Sequence, residues 1–195
     1  MADTPPDITN LQLYSMALVL SRAAKDMLRV KGGIRLSAEP EIRERRIVQF
    51  GKRMRIDGLE KFSERTVFSS LHFYRDKSDM DKHNAVGCMI VYIPVSYLSR
   101  LLHLLDYPRV EEDDEEDLLD GCGTLTNLFG GWFVKELSAQ GYVHLEMSHF
   151  ESYINTAVNG IEFSSDQGSK CEIDFKIRDV KRLVMELTMA PIPHY

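Results

Sequence analysis

The sequence predicts an α/β (α+β) fold in which long helices pack on a mixed or antiparallel sheet. Two segments carry apolar residues at helical spacing, and each is followed by β-rich runs. The chain therefore divides in outline into two halves, each a helix followed by strands, without a residue-level repeat that would prove a duplication. Its 195 residues, 44% of them apolar, suffice for one well-buried core. We expect a single domain over residues 1–195.

The first half begins with a predicted helix. Residues 1–6, MADTPP, are expected to form a disordered lead, and Asp7 or Thr9 is expected to cap the helix. Apolar side chains near period 3.6 extend this helix to about Val30. The Gly32-Gly33 pair then ends it, since glycine tolerates the left-handed conformation found after many helices.

Between Ile34 and Pro94 the composition shifts to β-branched and aromatic residues, which predicts three or four antiparallel strands. The best-defined runs are residues 47–50, 66–74 and 86–93, with a polar loop at residues 76–84.

The second half begins at Pro94, after which an apolar stripe predicts a helix over Val95–Leu105. Residues 109–117 form an acidic linker. Its acidic run Glu111–Asp117 lies directly before a helix, where negative side chains interact favourably with the positive end of the helix dipole. A cation site is the alternative for this run, although it lacks the spacing and glycine of a calcium loop. A long helix follows over Asp117–Leu137. The later strands are predicted at Tyr142–Met147, Gly160–Ser164, Cys171–Ile177 and Leu183–Met189.

The helix Asp117–Leu137 separates most clearly into two faces. Asp120, Thr124, Asn127 and Gly131 are spaced by four, three and four residues, so they form one polar stripe. Asn is a mediocre helix former, so its place in the middle of this stripe raises the question of what its side chain contacts; the alternative is an ordinary solvated surface residue. The opposite, core-facing side consists of Leu118, Cys122, Leu125, Phe129, Trp132 and Phe133.

Composition excludes several classes of protein. The net charge of −6 and the pI near 5.5 argue against a nucleic-acid binder, although a local basic patch remains open. No signal peptide or apolar window of about 18 residues is visible, so we expect a cytoplasmic protein without a membrane span. Cys88, Cys122 and Cys171 are expected to be reduced core residues, and no metal motif is present. His72 and His144 fit ordinary strand histidines better than ligands or bases.

The segment Val86–Leu137 resembles the CheX/CheC/FliY family of chemotaxis phosphatases, also called CheC-like proteins. It combines a glycine-bearing strand, VGCMIVYIP, an apolar helix, VSYLSRLLHLL, an acidic linker and the sequence DGCGTLTNLFGG. The family's helix typically reads D-x-x-G-E-I-x-N-x-x-x-G. The matching positions in this chain are Asp120, Gly123, Thr124, Asn127 and Gly131.

The resemblance implies a CheC-like fold and a role in bacterial chemotaxis, a form of two-component signalling. Asn127 would position the water that hydrolyses the phosphoaspartate of a CheY-like response regulator, while Asp120, Gly123 and Gly131 would contact that partner. No cofactor is implied, since any Mg²⁺ would belong to the regulator. The resemblance also allows a homodimer. A weaker echo of the motif, Asp7 to Asn10, fits cap and turn residues better.

One departure from the family is expected to change the chemistry. Thr124 stands where the family has Glu, which contacts a lysine of the regulator, and a hydroxyl cannot supply that ion pair. Losing one side of an interfacial charge pair can cost a few kcal/mol, which lowers affinity or rate by more than about tenfold. The sequence therefore leaves open an impaired phosphatase and a non-catalytic adaptor or dimerisation module. A small-ligand sensor is a third class, which no visible site supports.

Overall fold

The computed structural model describes residues 8–164 and 166–195, so the predicted lead at residues 1–6 and Asp7 lie outside the described residues. The helices are α1 (Leu11–Gly32), α2 (Lys77–Asp81), α3 (Val95–Leu104) and α4 (Glu115–Ala139). The strands of the first half are β1 (Glu41–Arg46), β2 (Val48–Phe50), β3 (Arg53–Asp57), β4 (Thr66–Tyr74) and β5 (Gly87–Pro94). Those of the second half are β6 (Glu146–Met147), β7 (Glu151–Ile154), β8 (Ala157–Ile161), β9 (Ser169–Ile177) and β10 (Val180–Met189).

The ends of α1 are fixed by side-chain and backbone capping. Asn10 is the N-cap, and its side-chain oxygen accepts the backbone N–H of Leu13 at 3.0 Å. Gly33 ends the helix in the left-handed conformation at φ 61°, as the sequence predicted. The prediction that Thr9 caps the helix was wrong. Its hydroxyl instead donates to Glu44 of β1 at 2.9 Å, which ties the helix start to the sheet.

The larger sheet of the described chain is antiparallel throughout, in the order β1-β9-β10-β5-β4, and the far edge of β4 pairs with both β6 and β7. This order is symmetric about the central β10–β5 pair. The hairpin β4–β5 of the first half corresponds to β9–β10 of the second. Strand β1 of the first half pairs with β9, and strands β6 and β7 of the second half pair with β4. The two helix-then-strands halves predicted from the sequence are thus joined by exchanged edge strands.

One face of this sheet carries the helices. Alternate residues of β4, β5, β9 and β10 point toward α1 and α4, which lie side by side, and α3 packs against α4. The central residues of this layer are fully buried, among them Leu20, Leu71, Val91, Phe129 and Phe175. The helical layer therefore contains the larger apolar core.

The other face is partly covered by a small sheet with the order β2-β3-β8. Met54 and Ile56 of β3 pack there against Phe68, Ile90 and Tyr92, which are the alternate residues of the same central strands. The central strands are consequently buried on both sides, which explains the continuous apolar run of β5 and the burial of every residue of β4.

The structure corrects several predicted boundaries. Strands β1, β3 and β7 were not predicted, and only Glu146–Met147 of the predicted strand Tyr142–Met147 is a strand. The strand expected at Gly160–Ser164 is Ala157–Ile161, and the polar loop contains the short helix α2. Helix α4 begins at Glu115, so the last three residues of the predicted acidic linker lie in its first turn.

Cys88, Cys122 and Cys171 are buried free thiols, as predicted. Burial raises the pKa of each thiol, that of Cys171 to about 12. Within the described residues, none of the helices is both long and apolar enough to cross a membrane.

Candidate functional site on helix α4

Helix α4 crosses the helical face of the sheet and is buried along one side. Its N-cap is Asp114, whose carboxylate accepts the N–H of Asp117 at 3.1 Å. The predicted apolar side faces the core, with Trp132 only partly buried. Burial of that side turns the polar stripe outward, so the sequence correctly assigned the two faces of the helix.

Asn127 lies in the middle of the exposed stripe. Its side chain is exposed and forms no hydrogen bond with any other residue of the described ranges. The adjacent Thr126 points inward, where its hydroxyl donates to the carbonyl of Cys122 at 2.9 Å. The buried neighbours fix the helix, while the Asn127 carboxamide keeps both its donor and its acceptor available for an external group.

The two glycines of the predicted partner surface have different surroundings. At Gly131 an added Cβ would meet no atom within 4 Å, so the helix backbone is open to close approach. Gly123 is buried, and an added Cβ would overlap the ring of Phe150. Open space beside Asn127 is therefore present at Gly131, whereas Gly123 contacts a side chain of the same chain.

Thr124 and Asp120 lie together at a small cavity. It has a volume of about 220 Å³ and lies between the α3–α4 connection and the first turns of α4. Thr124 is half-buried and Asp120 is exposed. The lining includes Arg109 and Asp117 but not Asn127. The structure thus joins two of the predicted residues in one depression and leaves the asparagine outside it.

The first turn of α4 concentrates negative charge. Glu115, Glu116 and Asp117 are exposed and lie where the helix dipole favours acidic side chains. Arg65 anchors this end by an ion pair with Glu115 and by donating to the backbone carbonyl of Glu112 at 3.1 Å. The described residues include no group of three or more His, Cys, Asp or Glu side chains that could hold a metal ion.

A groove beyond Gly131 was not predicted from the sequence. It has a volume of about 540 Å³ and separates the last turns of α4 from the segment leading into β6. Lys135 and Ser138 of α4 line one side, and His144 and Met147 line the other. The sequence does contain a pattern that indicates this groove, since Lys135 and Ser138 continue the Asn127–Gly131 stripe at helical spacing.

No protein-family model and no curated protein matches the sequence. Solved structures match its fold. A CheC-like superfamily protein from Shewanella sp. PV-4 aligns with a TM-score of 0.56 and 15% identity, over 88% of this chain and 95% of the other. The chemotaxis protein CheX from Vibrio vulnificus aligns with a TM-score of 0.56 and 12% identity, over 89% and 97%.

The chain has a CheC-like fold. Thermotoga maritima FliY aligns as well, with a TM-score of 0.54 and 14% identity, over 97% of this chain and 92% of the other. The fold class predicted from the sequence is therefore confirmed. Within this CheC-like fold, α4 is the helix on which the sequence resemblance rests, and Asn127 lies on its solvent side.

Proposed function

We propose that this protein acts in chemotaxis signalling by binding a phosphorylated CheY-like response regulator through the exposed stripe of α4 and promoting hydrolysis of its phosphoaspartate. The observation that carries the proposal is Asn127, an exposed carboxamide without a partner among the described residues, in the middle of a rigidly packed helix. The fold likeness to CheX, CheC-like and FliY chemotaxis proteins supports it.

The role proposed for Asn127 is to orient a water molecule. Hydrolysis of an acyl phosphate needs a water placed in line with the breaking P–O bond, and it needs no protein nucleophile. A carboxamide can accept one hydrogen bond from that water and so restrict its orientation. Correct placement of reacting groups can lower a barrier by several kcal/mol. Open space at Gly131 would let the regulator's phosphorylated surface come close to the helix backbone.

Thr124 makes an adaptor the second candidate function. A carboxylate at this position would pair with a cation of the regulator, whereas the half-buried hydroxyl of Thr124 can form only a neutral hydrogen bond. In the adaptor hypothesis the stripe binds the regulator or a second copy of this chain without accelerating hydrolysis. Asp120 and the acidic first turn would still attract a basic partner surface.

The test measures acyl-phosphate loss from a CheY-like regulator after labelling by a small phosphodonor, with and without this protein. We expect faster loss with the wild-type chain and at least a tenfold smaller acceleration with Asn127→Ala, about 1.4 kcal/mol. Asn159→Ala, an exposed asparagine on β8, is the matched control. Regulator binding without acceleration would support the adaptor. An acceleration that Asn127→Ala leaves unchanged would refute the catalytic role.

A further inference from the structure

The β2–β3 hairpin and the adjoining end of β1 form a basic surface on an acidic protein. Residues 43–55 contain six Arg or Lys and one Glu, although the whole chain has a net charge of −6. We call this region the cationic hairpin surface. Its basic residues are Arg43, Arg45, Arg46, Lys52, Arg53 and Arg55.

A groove of about 400 Å³ opens beside this surface. Its floor is a buried ionic network in which Glu186 accepts from Lys61 at 2.7 Å and from Lys170 at 2.8 Å. Glu172 also pairs with Lys61. The floor therefore holds two ammonium groups and two carboxylates that satisfy one another, and the charge available to a ligand comes from the rim.

The rim is predominantly cationic. Arg45 lies 3.6 Å from Glu172, and Arg55 lies 3.3 Å from Asp57, so both retain donors for another anion. Arg46 forms no ion pair with any residue in the described ranges, and neither does Lys52 at the hairpin turn. Asp57 and Glu60 are the rim carboxylates. The groove lining thus includes three arginines, Arg45, Arg46 and Arg55.

Exposed apolar side chains lie on the same hairpin. Val48 is 57% exposed and Phe50 is 70% exposed. In the strand register Val48 opposes Arg55 and Phe50 opposes Arg53, so all four side chains lie on one face of the hairpin. Strand β2 is also the edge of its sheet, and no residue of the described chain pairs with its outer side. Protection of a strand edge explains the arginines but not an exposed Phe between them.

We propose that the cationic hairpin surface binds the anionic phospholipid surface of a membrane. Clusters of four to eight Lys or Arg are attracted to anionic lipids, and aromatic side chains insert at the headgroup level. Phe50 projects from a hairpin end instead of lining a concave site, which fits a soft, extended surface better than a peptide. Lipid phosphates would contact Arg45, Arg46 and Lys52. Phe50 would insert between the headgroups.

This proposal does not depend on the function proposed for α4. The hairpin belongs to the small sheet on one face of the main sheet, and α4 lies on the opposite face. Both surfaces can therefore be occupied at once.

Vesicle co-sedimentation of the full chain tests the proposal. We expect binding to vesicles of phosphatidylcholine with about one-third phosphatidylglycerol, little binding to pure phosphatidylcholine, and weakening by salt. The double variant R46E/K52E should bind at least tenfold more weakly, and F50S about threefold more weakly. The matched controls on α1, Arg22→Glu and Val30→Ser, should bind as wild type does, since both residues are exposed and neither lines a pocket with the hairpin arginines.

Several results would overturn the lipid proposal. Equal binding to both vesicle types, or binding that R46E/K52E leaves unchanged, would do so. Absence of binding to either vesicle would also refute it. Competition by pyrophosphate distinguishes lipid headgroups from free phosphate as the ligand. Vesicle binding that persists in millimolar pyrophosphate supports the extended lipid surface. Complete displacement at that concentration would indicate a site for free phosphate groups.

Discussion

The two faces of the main sheet are stabilised by different interactions. On the helical face, α1, α3 and α4 bury an almost wholly apolar layer. On the other face the small sheet covers only part of the surface, and next to it a carboxylate, Glu186, is fully buried with Lys61, Lys170 and the hydroxyl of Tyr92. An apolar layer tolerates small adjustments, whereas a buried ionic network depends on every partner being present. The two faces should therefore respond differently to substitution.

The largest expected effect is that of Glu186→Gln. Removing the carboxylate charge leaves the ammonium groups of Lys61 and Lys170 buried with one compensating group, Glu172. Breaking a buried ionic network by removing one partner typically costs about 3–5 kcal/mol. Urea-induced unfolding measures the decrease in the free energy of unfolding. Glu60→Gln, which removes an exposed carboxylate at the same groove, should change it by less than about 0.5 kcal/mol. Equal effects of the two variants would contradict the role of the network.

The same network predicts an acid-sensitive fold. Burial opposes ionisation of Glu186, but Lys170 and Lys61 outweigh it and hold its pKa below the ordinary 4.5. The pKa of Glu172 is lowered in the same way, with burial opposed by Lys61. Because these folded-state pKa values are depressed, their stabilisation is complete above about pH 4.5 and is lost as the pH falls through them.

Urea unfolding measured between about pH 7 and pH 3 should therefore show falling stability below about pH 4.5, with a shallower fall in Glu186→Gln. Asp174 acts in the opposite direction, because burial raises its pKa despite the neighbouring Lys181 and Arg43, and its protonation then favours the fold. Identical slopes for the wild type and the variant would show that Glu186 does not set the acid limit.

The contrast between the faces also explains what the sequence could predict. Helix α4 and the core strands were visible because their apolar residues recur at fixed periods. Strand β1, EIRERR, has no apolar alternation, since it is mostly charged; Glu41, Arg43 and Arg45 pair with residues more than 120 positions away, as Arg43 does with Asp174. Local pattern cannot show such pairing. Glu186 lies in an apolar run, and only the fold shows that two distant lysines meet it.

On the candidate site, the sequence predicted the stripe but not its surroundings. Helical spacing correctly grouped Asp120, Thr124, Asn127 and Gly131 on the less buried side of α4. The same spacing could not show that Gly123 is covered by Phe150, because that ring comes from the β6–β7 connection, 27 residues later. Spacing assigns a face of a helix, and tertiary packing decides which parts of that face stay open.

On the helical face the next effect should come from Gly123→Ala. The new methyl group would overlap the ring of Phe150, and overpacking of this kind costs about 1–3 kcal/mol. Gly131→Ala is the matched control eight positions along the same helix, where the methyl group meets open space and should stabilise by about 0.5–1 kcal/mol. Thermal unfolding should give opposite shifts for the two variants. Shifts of the same sign would mean that the ring of Phe150 moves aside freely.

The smallest effect on the fold should come from Thr124→Glu, which restores the carboxylate expected from the resemblance. The position is half-buried at a small cavity with room for a longer side chain. Asp120, one turn earlier, adds a like-charge pair that costs only about 0.2–0.5 kcal/mol. If α4 is a phosphatase site, the new charge should increase the acceleration of regulator dephosphorylation about tenfold or more, through the ion pair that Thr124 cannot form. In the double variant T124E/N127A this gain should disappear, because the carboxylate binds the regulator and the carboxamide positions the water. If the double variant kept the faster dephosphorylation, the effect of Glu at position 124 would not depend on Asn127. The stripe of the wild-type chain would then bind the regulator without catalysing hydrolysis.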